Sequence, residues 1–156
     1  MKTFKIGSRA FFENLPDYKE HDCDVLMVLD KWPSEIADTR FSCRATKCDA
    51  FFMKQMTKEE YIAETLETED TKRVFYYMVP EFAQFVGLTI DDLKLVEPVV
   101  RKLENTRHKW YINVYEAYVA NNGFFLTDEQ REVAYKVFKS TRPRRFNRPV
   151  QDESAE

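Results

Sequence analysis

Glycine is scarce in this chain: Gly7, Gly87 and Gly123 are the only three. A dinucleotide-binding fingerprint and a Walker phosphate loop each need clustered glycines for close backbone approach to phosphate. Both are excluded, so phosphate chemistry here must use one glycine, metal ions and basic side chains. Cysteine is sparse too. Cys23, Cys43 and Cys48 are an odd number and form no CxxC pair, which reads as reduced thiols rather than a disulfide framework. A zinc site drawn from His21, Cys23, Cys43 and Cys48 lacks the close-spaced ligand pairs that structural zinc sites bring. No apolar run approaches ~18 residues, so no membrane-spanning helix is expected. The stretch Met1–Ile6 lacks the apolar run of a secretion signal, and a cytoplasmic location is the expectation. Net charge is only −3, which argues against generic polyanion binding but not against a local basic patch.

What is present suits a globular chain. Of 156 residues, 44% are hydrophobic and 33% charged, enough apolar surface to build a core without staples. The expected fold class is α+β, a small mixed sheet followed by a mainly helical half. Residues 1–56 carry short β-rich runs: Thr3–Ile6, then Asp22–Leu29, then Cys48–Met53. Between the first two, Arg9–Leu15 suggests a short helix capped by Ser8, followed by a turn at Pro16-Asp17. After Met56 the period changes to helical, and residues 57–141 read as a helical half packed on the sheet as one unit. Thr57-Lys58-Glu59-Glu60 is a capping box opening a helix toward Thr68. Pro80 suits the first turn of a helix ending at Gly87. Thr89 with Asp92 opens another, with Pro98 near its start or kinking it. Thr106 to Asn122 predicts a long helix ending at a left-handed Gly123. Thr127 with Gln130 is a further capping box, for a helix to about Ser140. Val74–Val79 is ambiguous between strand and helix. Residues 142–156 have no apolar period and read as a loose tail.

The main candidate constellation is Gly7-Ser8, Asp22-Cys23-Asp24 and Asp49. Residues two apart in a strand share a face, so Asp22 and Asp24 project together while Cys23 and Val25 face the other side. Adjacent carboxylates raise each other's pKa unless a cation neutralises them. A hard divalent ion with oxygen ligands is the natural neutraliser. Asp49 heads an apolar strand in the same manner, and a neighbouring strand would bring it to the same ion. Three such acids can hold two metals that clamp a phosphoryl transfer. Gly7-Ser8 at a strand-to-helix junction would let phosphate approach and bind it through helix amides and a hydroxyl.

Gly7-Ser8, then Asp22-Cys23-Asp24 followed by Val-Leu-Met-Val, then Cys48-Asp49-Ala50-Phe51, resembles the signature of the nucleotidyltransferase superfamily that includes DNA polymerase beta. The Gly-Ser-Arg-Ala wording is similar to that of small bacterial and phage-borne members. The resemblance covers about residues 3–53. It implies that Gly7 and Ser8 bind a nucleoside triphosphate. It also implies that Asp22, Asp24 and Asp49 are catalytic and hold Mg²⁺ or Mn²⁺. Arg9 and Arg44 are expected beside the triphosphate, with Arg40 and Lys47 nearby or simply lining a solvated sheet edge. The segment after Ser8 holds Glu13, Asp17, Tyr18, Lys19, Glu20 and His21, which would shape a substrate pocket. The implied activity moves a nucleoside monophosphate from the triphosphate to an acceptor hydroxyl on a protein, a small molecule or RNA.

The helical half carries softer signals. His108, Tyr111, Tyr115 and Tyr118 form one helix stripe. Such a stripe either packs the core, the commoner use, or stacks a nucleobase with Arg107 or Lys109 near the phosphates. Arg142, Arg144, Arg145 and Arg148 would grip nucleic-acid phosphate, although Asp152, Glu153 and Glu156 offset them in a solubilising tail. Two further function classes therefore stand beside the enzyme: a non-catalytic interaction protein and a nucleic-acid binder.

Overall fold

The computed structural model describes residues 1–12, 23–39 and 48–141. Three strands form one sheet in the order β1-β2-β3, with β1 at Lys2–Ile6, β2 at Cys23–Leu29 and β3 at Cys48–Lys54. β1 runs antiparallel to β2, and β2 runs parallel to β3. The sheet is therefore mixed, as expected. Asp22, Glu13, the Pro16-Asp17 turn, Arg40, Arg44, Lys47 and residues 142–156 lie outside the described residues.

The two sheet faces differ. Ile6, Leu26, Val28 and Met53 are buried under the helical half, with Phe4 and Phe51 packed beside them. Cys23, Val25, Met27 and Leu29 form a separate cluster on the opposite face, with Ile36, Cys48 and Phe52. Period-two alternation thus decides which side of each strand meets the helices.

The helical half begins with α2 at Lys58–Thr68, opened by the Thr57 box with both of its hydrogen bonds formed. Then follow α3 at Thr71–Tyr77, α4 at Pro80–Val86, α5 at Ile90–Leu95, α6 at Glu97–Arg101, α7 at Trp110–Asn121 and α8 at Asp128–Thr141. Gly87 ends α4 at φ 89°, where a left-handed residue is required. The Thr89 box opens α5, and Thr127 and Gln130 exchange their pair of bonds at the start of α8. Pro98 sits in the first turn of α6. The ambiguous stretch from Val74 is helical through Tyr77, because Asp70 caps α3 through the Lys72 amide and Val74 and Tyr77 bury inward.

Two helix boundaries differ from the sequence expectation. The predicted helix from Thr106 starts only at Trp110; residues before it close successive three-residue turns, such as Lys109 N–H to Thr106 O at 3.2 Å. At its other end Asn122, not Gly123, takes the left-handed position at φ 49°. Asparagine tolerates that conformation, and the Gly123 N–H then reaches back to Tyr118 O at 3.1 Å.

Phe82 centres the interior, edge-on to Phe4 at 5.5 Å and stacked with Tyr77 at 6.3 Å. The buried Tyr118 hydroxyl donates to Met78 O across 2.6 Å, joining α7 to the end of α3. Tyr61 joins α2 to the end of β3 by donating to Lys54 O at 3.2 Å.

Candidate functional site

Ile6 ends β1 directly opposite Asp24, and the chain then turns at Gly7. Gly7 has φ 77° and ψ −163°, a region open almost solely to glycine. A β-carbon placed there would lie 2.6 Å from Asp24 Oδ2. The turn backbone and the Asp24 carboxylate therefore share a space that any side chain at position 7 would fill.

The turn leads into α1, Ser8–Phe11, a single helical turn. Here the structure corrects the expected Arg9–Leu15 helix capped by Ser8. Gly7 occupies the capping position, Ser8 is the first helical residue, and no side chain caps the helix. With four residues, α1 has little macrodipole to offer an anion. What remains at the turn is the close approach at Gly7 and the Ser8 hydroxyl. The helical half holds this turn in place. Phe11 packs edge-on against Trp110 at 5.5 Å and Tyr111 at 6.0 Å, and Arg131 Nε donates to Phe11 O at 3.1 Å.

Asp24 and Asp49 are partners in the parallel ladder between β2 and β3. Residues opposed in register project to the same face, so the two carboxylates stand side by side on the face that the helices cover. Both are half-buried. They lie at the ends of their strands, beyond the apolar pairs Leu26–Phe51 and Val28–Met53. Cys23 and Val25 project to the opposite face, as period two requires. Arg9 is half-buried on α1. Asp22 and Arg44, the other two expected site residues, lie outside the described residues.

Two tyrosines of the helical half sense the charge of Asp24. Burial pushes the Tyr76 hydroxyl up to about 12, with the charge of Asp70 and, less, that of Asp24 adding to the rise. Burial raises Tyr111 further, again with Asp24 contributing. These phenols stay protonated at neutral pH, so they add no negative charge to the surroundings of Asp24. The stripe itself is core. Tyr111 and Tyr118 are buried, and Tyr111 stacks on Phe75 at 4.6 Å and on Trp110 at 3.9 Å. Protein rings stack on Tyr111 and Tyr118 is closed off by burial, so neither offers a face to a nucleobase.

Toward the other end of β3 lies a groove of about 430 Å³ between β3, α2 and α3, lined by Phe51, Met53, Lys72, Arg73 and Tyr76 among others but by neither Asp24 nor Asp49. Phe51 follows Asp49 on the same face of β3, and Lys72 Nζ sits 5.8 Å from the Phe51 ring centre. Sequence reasoning missed Arg73. Its Nη2 donates to Glu64 at 2.7 Å and its Nε stands 3.5 Å from Asp70. Its Nη1 and Nε are buried with no hydrogen-bond partner among the described residues. No motif marks such a residue, because its partners come from two helices and its groove from a strand.

Carboxylates are the donor type for hard cations such as Mg²⁺, and the in-register pair beside an uncluttered glycine fits one. Among the described residues no group of three His, Cys, Asp or Glu side chains is gathered tightly enough to hold an ion alone. Among those same residues, no helix is long and apolar enough to cross a membrane. Compared with protein-family models, curated proteins and solved structures, the chain matches none.

Proposed function

We propose that this protein is a metal-dependent nucleotidyltransferase acting in the cytoplasm. The observation that carries the proposal is the contact of three strand ends: Asp24 level with Asp49, and Gly7 against the Asp24 carboxylate. In this reading Asp24 and Asp49, with Asp22 ahead of them in the chain, hold Mg²⁺ or Mn²⁺. The bound ion would supply charge neutralisation for the triphosphate and its departing pyrophosphate. The Gly7-Ser8 turn receives phosphate oxygens, with Arg9 and Arg44 as the assigned cations. Asp49 accepts the proton of the acceptor hydroxyl, whose oxygen attacks the α-phosphorus in line. The bond to the β,γ-pyrophosphate breaks, and that group leaves.

The groove begins at Phe51, two residues along β3 from Asp49, and its volume of about 430 Å³ falls in the range of small-molecule sites. A hydrogen-bond acceptor on that substrate would satisfy Arg73 Nη1, a buried donor that otherwise costs stability. The cluster Arg142, Arg144, Arg145 and Arg148 offers an added contact if the acceptor is RNA.

Incubation with each labelled nucleoside triphosphate, with Mg²⁺ or Mn²⁺ and with or without cell lysate, tests the proposal. Divalent-dependent label on an acceptor is expected. Absence of label under every condition, together with no divalent binding by calorimetry, would overturn the enzyme and leave the interaction protein standing.

A further inference from the structure

Cys23 and Cys48 are also ladder partners across β2 and β3, one register step before Asp24 and Asp49. Both are carried as thiols. They share the sheet face opposite the acids, where Cys23 is buried and Cys48 packs beside it, partly exposed. Neighbouring strands lie about 4.8 Å apart, within the ~4.4–6.8 Å that a disulfide spans between α-carbons. Register partners on one face therefore need only a small inward shift to bring their β-carbons to the ~3.8 Å of a disulfide. Each cysteine is the first residue of its strand, where the ladder constrains such a shift least.

We propose that Cys23 and Cys48 form an oxidation site, joined into a disulfide by hydrogen peroxide. The partly exposed Cys48 sulfur attacks one peroxide oxygen. The O–O bond breaks, water leaves with the thiol proton, and Cys48 becomes a sulfenic acid. The Cys23 sulfur then attacks the Cys48 sulfur. The S–S bond forms, the S–O bond breaks, and a second water leaves with the Cys23 proton. Two thiols lose two electrons and one peroxide becomes two waters. The shift needed to close the bond leaves it strained, and strained disulfides are readily reduced, so the modification reverses with a thiol reductant. The bond clamps β2 to β3 at the end that carries Asp24 and Asp49. The formation of the link does not depend on what those acids bind.

Peptide mapping tests the site directly. Lys31, Arg40, Arg44 and Lys47 separate the three cysteines, so trypsin places each on its own peptide. After peroxide treatment of the folded protein, non-reducing maps should show a Cys23–Cys48 link as the dominant product, lost with dithiothreitol. A Cys43→Ser variant should keep the link, and Cys48→Ser should abolish it. The same treatment in urea should spread links over all three cysteine pairs. A dominant link through Cys43 in the folded protein, or Cys48 carried on to sulfinic acid without any link, would overturn the proposal. The wild-type map decides even if a variant fails to fold.

Discussion

Gly7 and Asp24 are in direct contact: the space a β-carbon would occupy at Gly7 lies 2.6 Å from Asp24 Oδ2. Any side chain there is disfavoured, for two separate reasons. The backbone at φ 77° and ψ −163° is strained for any side chain, and a β-carbon would have to push the Asp24 carboxylate aside. The glycine is thus tied to the acid by shape, before any ligand is considered.

Replacing Gly7 should therefore damage both fold and site. Gly7→Val should lower unfolding free energy by at least ~1 kcal/mol, from backbone strain and displacement of Asp24. Ser8→Ala should change it by less than ~0.5 kcal/mol, since no side chain caps α1. Triphosphate affinity should still fall in the order wild type, Ser8→Ala, Gly7→Val. Urea titration and calorimetry check the pair of orders. A Ser8→Ala loss of ~1 kcal/mol, the usual cost of a removed cap, would contradict the structure at this turn.

An Asp24→Asn/Asp49→Asn double variant should stay folded, because removing like charges directly opposite each other relieves repulsion. Divalent-dependent label transfer should fall at least ~100-fold, since even outer partners of metal ligands cost 10- to 100-fold. Circular dichroism and Mn²⁺ calorimetry give the two readouts. Unchanged Mn²⁺ affinity in a folded variant would remove the acids from the metal site.

Acid should weaken the fold through His108. Burial, with Arg107 adding to it, holds the imidazole below its ordinary value, and its ring packs 4.8 Å from Phe75. The unfolded chain then takes up a proton that the folded one resists. Stability is full above the unfolded value of ~6.5 and declines as pH falls through it, levelling off once the folded site also protonates. Urea midpoints for wild type and His108→Gln, taken from about pH 7.5 down to pH 5, should diverge in slope. Parallel slopes would show that His108 is not buried as described.

Tyr118→Phe keeps the ring and removes the hydroxyl that donates to Met78 O at 2.6 Å. The buried carbonyl is left unsatisfied, at a cost of ~1–3 kcal/mol. The urea midpoint should drop while the slope of the transition stays constant. No drop would mean that the carbonyl finds another donor.

Much of the helical half could be read from local chemistry. The boxes at Thr57 and Thr89 and the left-handed Gly87 all form where the residues indicate. The start of α7 was less legible. Helix periodicity continues back to Thr106, yet the chain makes tighter turns until Trp110, where the ring stacks on Tyr111 and meets Phe11 and Phe12. A helix boundary set by packing against distant rings leaves no local mark. The aromatic stripe had two readings from the sequence, and only burial on Phe75 and Trp110 chose the core.

The candidate site divides along the same line. Alternation along β2 placed Asp24 opposite in face to Cys23 and Val25, and glycine at position 7 marked a special turn; both follow from bonds within a few residues. Asp24 level with Asp49, Cys23 level with Cys48, and Gly7 against Asp24 are tertiary facts. A register shift of one residue would move Asp49 to the other face, and nothing local forbids it. The sequence by itself determined most element types, the α+β class and the face of β2 that Asp24 takes relative to Cys23 and Val25. Only the tertiary structure decided which strands meet and in what register, because that choice depends on Phe51 and Met53 burying with Leu26 and Val28 against helices far along the chain.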